Sequence, residues 1–203
     1  MIMDPIDGQL KPFEMDSLIE SVPELKRFNF SIYTESFSEP IDSSDMNPTA
    51  WVDLANIIRA KYDKYDGFVI LHGTDTMAYT ASMLSFLLQG LSKPVILTGS
   101  QLPIGMIRTD GKENLITALE ISANNKIMDY KMGEVGIYFD NYLFRGNRTS
   151  KVSTGHFNAF ASPNYNYLAN VGVEISFNTK YLLPISSKGL GQSNELSNKV
   201  AVL

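Results

Sequence analysis

Residues 67–88 hold the feature that most narrows what this chain can fold into. The apolar run GFVIL (67–71) stops at His72-Gly73. After Thr74-Asp75-Thr76 it becomes a helical repeat in which Met77, Ala81, Leu84 and Leu88 share one face. A short β-branched and aromatic run reads as a strand, and a 3.6-residue repeat reads as a helix. The chain therefore passes from strand to helix through a short polar joint. The same change recurs along its length. Residues 28–34 (FNFSIYT), 94–98 (PVILT) and 135–139 (VGIYF) read as further strands. Asn47 is the expected N-cap of a helix that starts at Pro48 and carries Trp51, Leu54, Ala55 and Ile58 on one stripe. Asp110-Gly111 precedes another helix, with Leu115, Ala118 and Leu119. Continuously apolar strands alternating with amphipathic helices predict an α/β domain, a three-layer αβα arrangement with helices on both faces of a mostly parallel sheet.

The ends read differently. Residues 1–185 form the expected main domain. From Ser186 the chain turns polar and glycine-rich (SSKGLGQSNELSNK), which reads as a linker. Val200-Ala201-Val202-Leu203 then looks like the start of a strand. The stretch Asp4-Pro5-Ile6-Asp7-Gly8 reads as a loop with no strand before it. The chain is thus expected to be truncated at both ends, frayed natural termini being the alternative.

Composition removes several function classes. The formal net charge is −5 and Lys and Arg are scattered, whereas phosphate-backbone binding needs clustered cations, so no nucleic-acid partner is expected. There is no cysteine, which excludes disulfides, thiol catalysis and a Cys-ligated zinc site. The two histidines, His72 and His156, lack metal-site spacing. No apolar run has the length of a membrane helix, and the first residues lack a signal-peptide pattern. A cytoplasmic location fits these features.

Ligands of open α/β sheets sit beyond the carboxyl ends of parallel strands. Three polar clusters fall there: Thr74-Asp75-Thr76, Asp42-Ser43-Ser44-Asp45, and Thr98-Gly99-Ser100-Gln101. The first can be read simply as helix capping. As a site, its carboxylate would repel phosphate and suits an ammonium group, and a nearby backbone N–H suits a developing oxyanion. Lys151, in Arg145-Gly146-Asn147-Arg148-Thr149-Ser150-Lys151, belongs either to a solvated basic loop or to a site where it activates a threonine hydroxyl. His72 is read as a structural residue beside its strand.

These residues carry a family resemblance. His72-Gly73-Thr74-Asp75-Thr76-Met77-Ala78-Tyr79-Thr80 resembles the second signature of bacterial-type L-asparaginases, in the form of the cytoplasmic type I branch. Ile41-Asp42-Ser43-Ser44-Asp45-Met46, Thr98-Gly99-Ser100-Gln101-Leu102-Pro103, Arg108-Thr109-Asp110-Gly111, Arg148-Thr149-Ser150-Lys151 and Ala159-Phe160-Ala161-Ser162-Pro163-Asn164 resemble the family's other motifs, in order. The resemblance implies a catalytic set of Thr74, Asp75 and Lys151. In it, Lys151 favours deprotonation of Thr74, and Asp75 orients the set and holds the substrate ammonium. It implies substrate binding by Asp42, Ser43 and Ser44 together with Thr74 and Asp75. It further implies hydrolysis of L-asparagine to L-aspartate and ammonia through threonine-based acyl-enzyme chemistry, with no metal or organic cofactor. A homodimer or homotetramer is implied for the full-length protein. In that frame residues 186–203 are the linker and the start of a smaller C-terminal α/β domain.

Two family features are missing. The nucleophilic threonine of the family lies in a Gly-Gly-Thr-Ile turn, and these 203 residues contain none. The stretch 9–13, which matches the family's mobile loop, has no tyrosine. The chain alone is therefore expected to be inactive. One alternative is a non-catalytic amino-acid-binding or regulatory module. The other is the asparaginase-like amidotransferase subunit that uses glutamine as an ammonia source.

Overall fold

The computed structural model describes residues 2, 3, 10, 11, 21–123, 131–197 and 199. The expected loop at residues 4–8 and the expected strand start at 200–203 lie outside them, as do all but Leu10 and Lys11 of the 9–13 stretch. Strands β1 (Ile2–Met3) and β2 (Leu10–Lys11) pair antiparallel. The main sheet is built from β3 (Phe68–Leu71), β4 (Val95–Thr98), β5 (Val135–Phe139), β6 (Tyr142–Arg145), β9 (Ala169–Val171) and β10 (Ile175–Phe177), in the order β10-β9-β6-β5-β4-β3. Strands β7 (Ser150–Lys151) and β8 (Phe160–Ala161) form a separate antiparallel pair.

Strands β3, β4 and β5 are parallel neighbours, as their apolar runs predict. All four residues of β4 and all five of β5 are buried. The reason is two covered faces. On one face, Val95, Leu97, Val135, Ile137 and Phe139 pack with α1 (Pro48–Lys61) and α2 (Met77–Leu87). On the other, Ile96 and Tyr138 pack with Ala118 and Ile121 of α3 (Gly111–Ala123). Alternate residues of a strand point to opposite faces, so each uninterrupted apolar run feeds two cores. Full burial of side chains such as Leu97, Ile137 and Phe139 stabilises the fold by about 1.5–3 kcal/mol each. The result is the α/β layering that the alternation predicts.

The helix starts are those the sequence predicts. The Asn47 side chain accepts a hydrogen bond from Ala50 N at 3.1 Å, and Pro48 opens α1. Ala55 and Ile58 are buried, with Trp51 and Leu54 against the same core.

Two strand expectations need correction. Residues 28–34 form no strand. Phe28 stacks on Phe30 with ring centroids 4.5 Å apart, and Phe28 and Ile32 pack against Val22, Leu25 and Leu115. The run thus buries its apolar groups in a side cluster without sheet pairing. Strand β3 is only half buried, with Leu71 exposed, because it lies at an edge of the described sheet. After β5 the chain folds back at once as β6. Asp140 and Asn141 supply the turn in the left-handed region, at φ of 45° and 70°. Asp and Asn tolerate that region better than other side-chain-bearing residues, and it matches the twist of a tight hairpin.

Candidate active site

Parallel register brings the site together. Leu71 pairs with Thr98, so β3 and β4 end at one level. The loops that follow lie side by side: His72 N donates to Thr98 O at 2.9 Å. A Cβ on Gly99 would stand 2.2 Å from His72 O, so only glycine lets the two backbones approach this closely. Thr98 is a structural member of this cluster, buried and donating its hydroxyl to Tyr138 O at 2.9 Å. The loop after β4 is braced from α3. Asp110 accepts from Gln101 N and Leu102 N, and Asn114 donates to Gly99 O at 3.0 Å.

The second cluster docks on the first. Ser43–Asp45 is a single 3-10 turn. Its cap, Asp42, accepts from Ser44 N and Ser44 Oγ, both at 2.8 Å, and these two hydrogen bonds hold its carboxyl below the usual range. Ser43 is buried against Gly73, where an added Cβ would lie 2.4 Å from Ser43 Oγ. Thr76 Oγ1 donates to Ser43 O at 2.6 Å. Sequence reasoning missed this linking role of Thr76. In this state Ser44 spends its hydroxyl proton on Asp42.

Lys151 arrives from farther along the chain. The turn after β6 packs on α2, with Gly146 tight against Ala81, and β7 then carries Lys151 to the same loop. Lys151 Nζ donates to Thr74 Oγ1 at 2.7 Å and to Asp75 Oδ1 at 2.8 Å. The lysine side chain is 14% exposed and that of Asp75 is 65% exposed. The solvated-loop reading of residues 145–151 therefore fails at both of its ends. Arg145 closes β6 and is buried, paired with Glu134 at 2.6 Å.

Capping does not account for Thr74-Asp75-Thr76 either. Thr76 stands at the N-cap of α2 and makes no side-chain cap bond. Thr74 and Asp75 are turned to Lys151 instead. His72 is hydrogen bonded through both ring nitrogens, Nε2 to Thr80 Oγ1 at 2.8 Å and Nδ1 to Gly73 O at 2.6 Å. Burial pushes its pKa down, and the Gly73 carbonyl acts in the opposite sense. Thr74, Asp75, Lys151, Asp42, Ser43 and Ser44 thus gather at the carboxyl edge of β3 and β4. A cation beside a hydroxyl and an accessible carboxylate suits acyl chemistry on a substrate bearing an ammonium group.

Known proteins share this chain's sequence and shape. The family described as "Asparaginase, N-terminal" matches residues 1–183. L-asparaginase 1 of Escherichia coli (strain K12) is 52% identical over 153 residues, covering 75% of this chain and 43% of that protein. The 60 kDa lysophospholipase of Homo sapiens is 42% identical over 205 residues, 100% of this chain and 35% of that protein. The crystal structure of L-asparaginase I from Vibrio cholerae superposes with a TM-score of 0.81 at 43% identity, covering 94% of this chain and 57% of that one. The chain thus spans about half the length of these relatives or less. With the family match running over nearly its whole length, this chain belongs to the asparaginase family.

Proposed function

We propose that this chain carries the larger part of an L-asparagine amidohydrolase site, for the reaction of L-asparagine and water to L-aspartate and ammonia. The observation that carries the reading is Lys151 bridging Thr74 Oγ1 and Asp75 Oδ1. A protonated Lys151 favours the Thr74 alkoxide, which can then take a proton from the attacking oxygen. Asp75 orients Lys151 through their hydrogen bond and offers its exposed carboxylate to the substrate ammonium. The Asp42-Ser43-Ser44 turn receives the substrate carboxylate through backbone N–H groups and hydroxyls, Ser44 exchanging its bond to Asp42 for one to the ligand.

The covalent step needs a Gly-Gly-Thr-Ile threonine. Its oxygen would attack the amide carbon, ammonia would leave with the transferred proton, and water would hydrolyse the resulting ester. Because these 203 residues hold no such turn, the chain by itself binds L-aspartate or L-asparagine without turning it over. Support comes from the E. coli and V. cholerae relatives, named L-asparaginase 1 and L-asparaginase I. A cytoplasmic location and a homodimer or homotetramer at full length belong to the same reading.

Ammonia release from L-asparagine tests it, measured on the chain alone and fused behind a segment carrying Gly-Gly-Thr-Ile. The fusion is expected to release ammonia and its Thr74→Ala variant is not. A fusion that binds L-aspartate by calorimetry but releases no ammonia is a binding module instead. Greater release from L-glutamine marks an amidotransferase-type subunit. The name of the human relative favours a second reading, and fatty-acid release from lysophosphatidylcholine without ammonia release would establish it.

A further inference from the structure

A chain of hydrogen bonds runs behind the Thr74 loop. Trp51 Nε1–H donates to Thr80 Oγ1 at 2.8 Å. Thr80, fully buried on α2, lies 2.8 Å from His72 Nε2, and His72 Nδ1 lies 2.6 Å from Gly73 O. The proton positions follow from chemistry. A carbonyl only accepts, so Nδ1 carries a hydrogen. Trp51 is donor only, so the Thr80 hydroxyl proton is left for Nε2. His72 is thus the neutral Nδ1–H tautomer, with every polar atom of the relay satisfied.

The consequence lies in the Gly73–Thr74 peptide, which is planar and trans. In such a peptide the C=O of Gly73 and the N–H of Thr74 point in opposite directions. Holding the carbonyl at His72 therefore fixes the direction of the Thr74 N–H, opposite to the His72 ring. Gly73 cannot turn freely to compensate, because it is packed on Ser43 with no space for even a Cβ.

We propose that His72 is a positioning residue: its Nδ1–H holds the Gly73 carbonyl and so aims the Thr74 N–H into the ligand site, while Thr80 and Trp51 hold the ring through Nε2. The role in ligand binding rests on the function proposed above; the aiming of the peptide does not. Asparagine at position 72 can still donate from its amide to Gly73 O, and leucine cannot.

Two readouts on the chain decide the proposal: the Thr74 amide cross-peak in a ¹H–¹⁵N spectrum and L-aspartate affinity by calorimetry. His72→Leu is expected to displace the Thr74 peak and weaken binding by about tenfold or more, the scale of one lost buried hydrogen bond. His72→Asn is expected to restore the peak and to bind within about threefold of the parent. Thr80→Val, nearly isosteric, is expected to move the His72 Nε2 ¹⁵N resonance, because its hydroxyl donor is lost, while Nδ1 keeps its proton on Gly73 O; this arm stands even if His72→Leu fails to fold. The proposal is overturned if the leucine variant keeps the parent's Thr74 peak, or if asparagine performs no better than leucine. If the parent chain binds no L-aspartate, the functional reading fails, and the Thr74 peak and the His72 Nε2 resonance alone decide the positioning role.

Discussion

Lys151 Nζ donates a 2.7 Å hydrogen bond to Thr74 Oγ1, a residue 77 positions earlier in the chain. The same nitrogen reaches Asp75, whose carboxylate is largely open to solvent, so the ion pair itself adds little to stability. Lys151→Met is therefore expected to change unfolding free energy by no more than about 1 kcal/mol in urea titrations. In the fusion carrying Gly-Gly-Thr-Ile it is expected to lower ammonia release by about 10²-fold or more. A proportionate loss of both would show the lysine to be structural.

Gly73→Ala probes the contact between the two loops. The new methyl meets Ser43 Oγ and Cβ at 2.4 and 2.7 Å, so the turn at residues 42–45 must move. Overpacking of this kind costs about 1–3 kcal/mol. L-aspartate binding is expected to weaken more than this loss of stability explains, as seen by calorimetry on the folded variant.

Arg145 and Glu134 form a buried pair, 8% and 4% exposed. Although burial alone would lower the Arg145 pKa, Glu134 raises it above its ordinary value. Arg145 also donates to Tyr181 O at 2.6 Å, and Glu134 accepts from Leu183 N at 2.8 Å. Arg145→Met should destabilise by about 3–5 kcal/mol, because Glu134 is left buried and unpaired. Adding Glu134→Leu should recover part of that loss in a double-mutant cycle.

Arg59 ties down the stretch read from composition as a linker. It donates to Leu87 O at 2.5 Å, Ser193 O at 2.8 Å and Gly191 O at 3.0 Å. Leu190 and Leu196 pack on the main core. Arg59→Ala should speed cleavage after Glu195 by a glutamate-specific protease by at least about tenfold, the factor given by ~1.4 kcal/mol of lost hydrogen bonding. An unchanged rate would show that the apolar contacts hold the segment alone.

His72 makes stability depend on pH in a defined direction. Its folded pKa lies below the ordinary value, so the unfolded chain takes up the proton first. Its contribution is complete above the unfolded pKa, about 6.5, and is lost as pH falls below it toward the folded pKa. Between about pH 7.5 and pH 5.5 the thermal midpoint of the parent should therefore fall further than that of His72→Asn. Equal slopes would show that His72 titrates normally.

Local pattern alone was enough for much of the fold. The apolar runs at 94–98 and 135–139, the Asn47 cap and the stripes of α1, α2 and α3 are short-range features, and each element follows from a few neighbouring residues. The Asp140-Asn141 hairpin was also within reach, since two turn-forming residues separate two apolar runs, but no strand was assigned to the run after it. The stretch 28–34 went the other way. Its β propensity is real, yet a strand exists only where a partner edge is available, and its aromatic rings found a side cluster instead.

The sequence by itself determined the chemistry on offer: Thr74 and Asp75 at a strand-to-helix joint, a serine-rich turn at 42–45, and a lysine far downstream. Tertiary structure alone decided that these meet. Parallel pairing of β3 with β4 sets the level of two loops, glycine at 99 lets backbones touch, glycine at 73 makes room for the Ser43 side chain, and β7 delivers Lys151 to Thr74. It also decided that His72, a single residue beside a strand, closes a relay from Trp51 to the Gly73 carbonyl. Hydrogen bonds form between atoms within about 3 Å of each other. Over such separations along the chain, only the packed sheet and helices define that proximity.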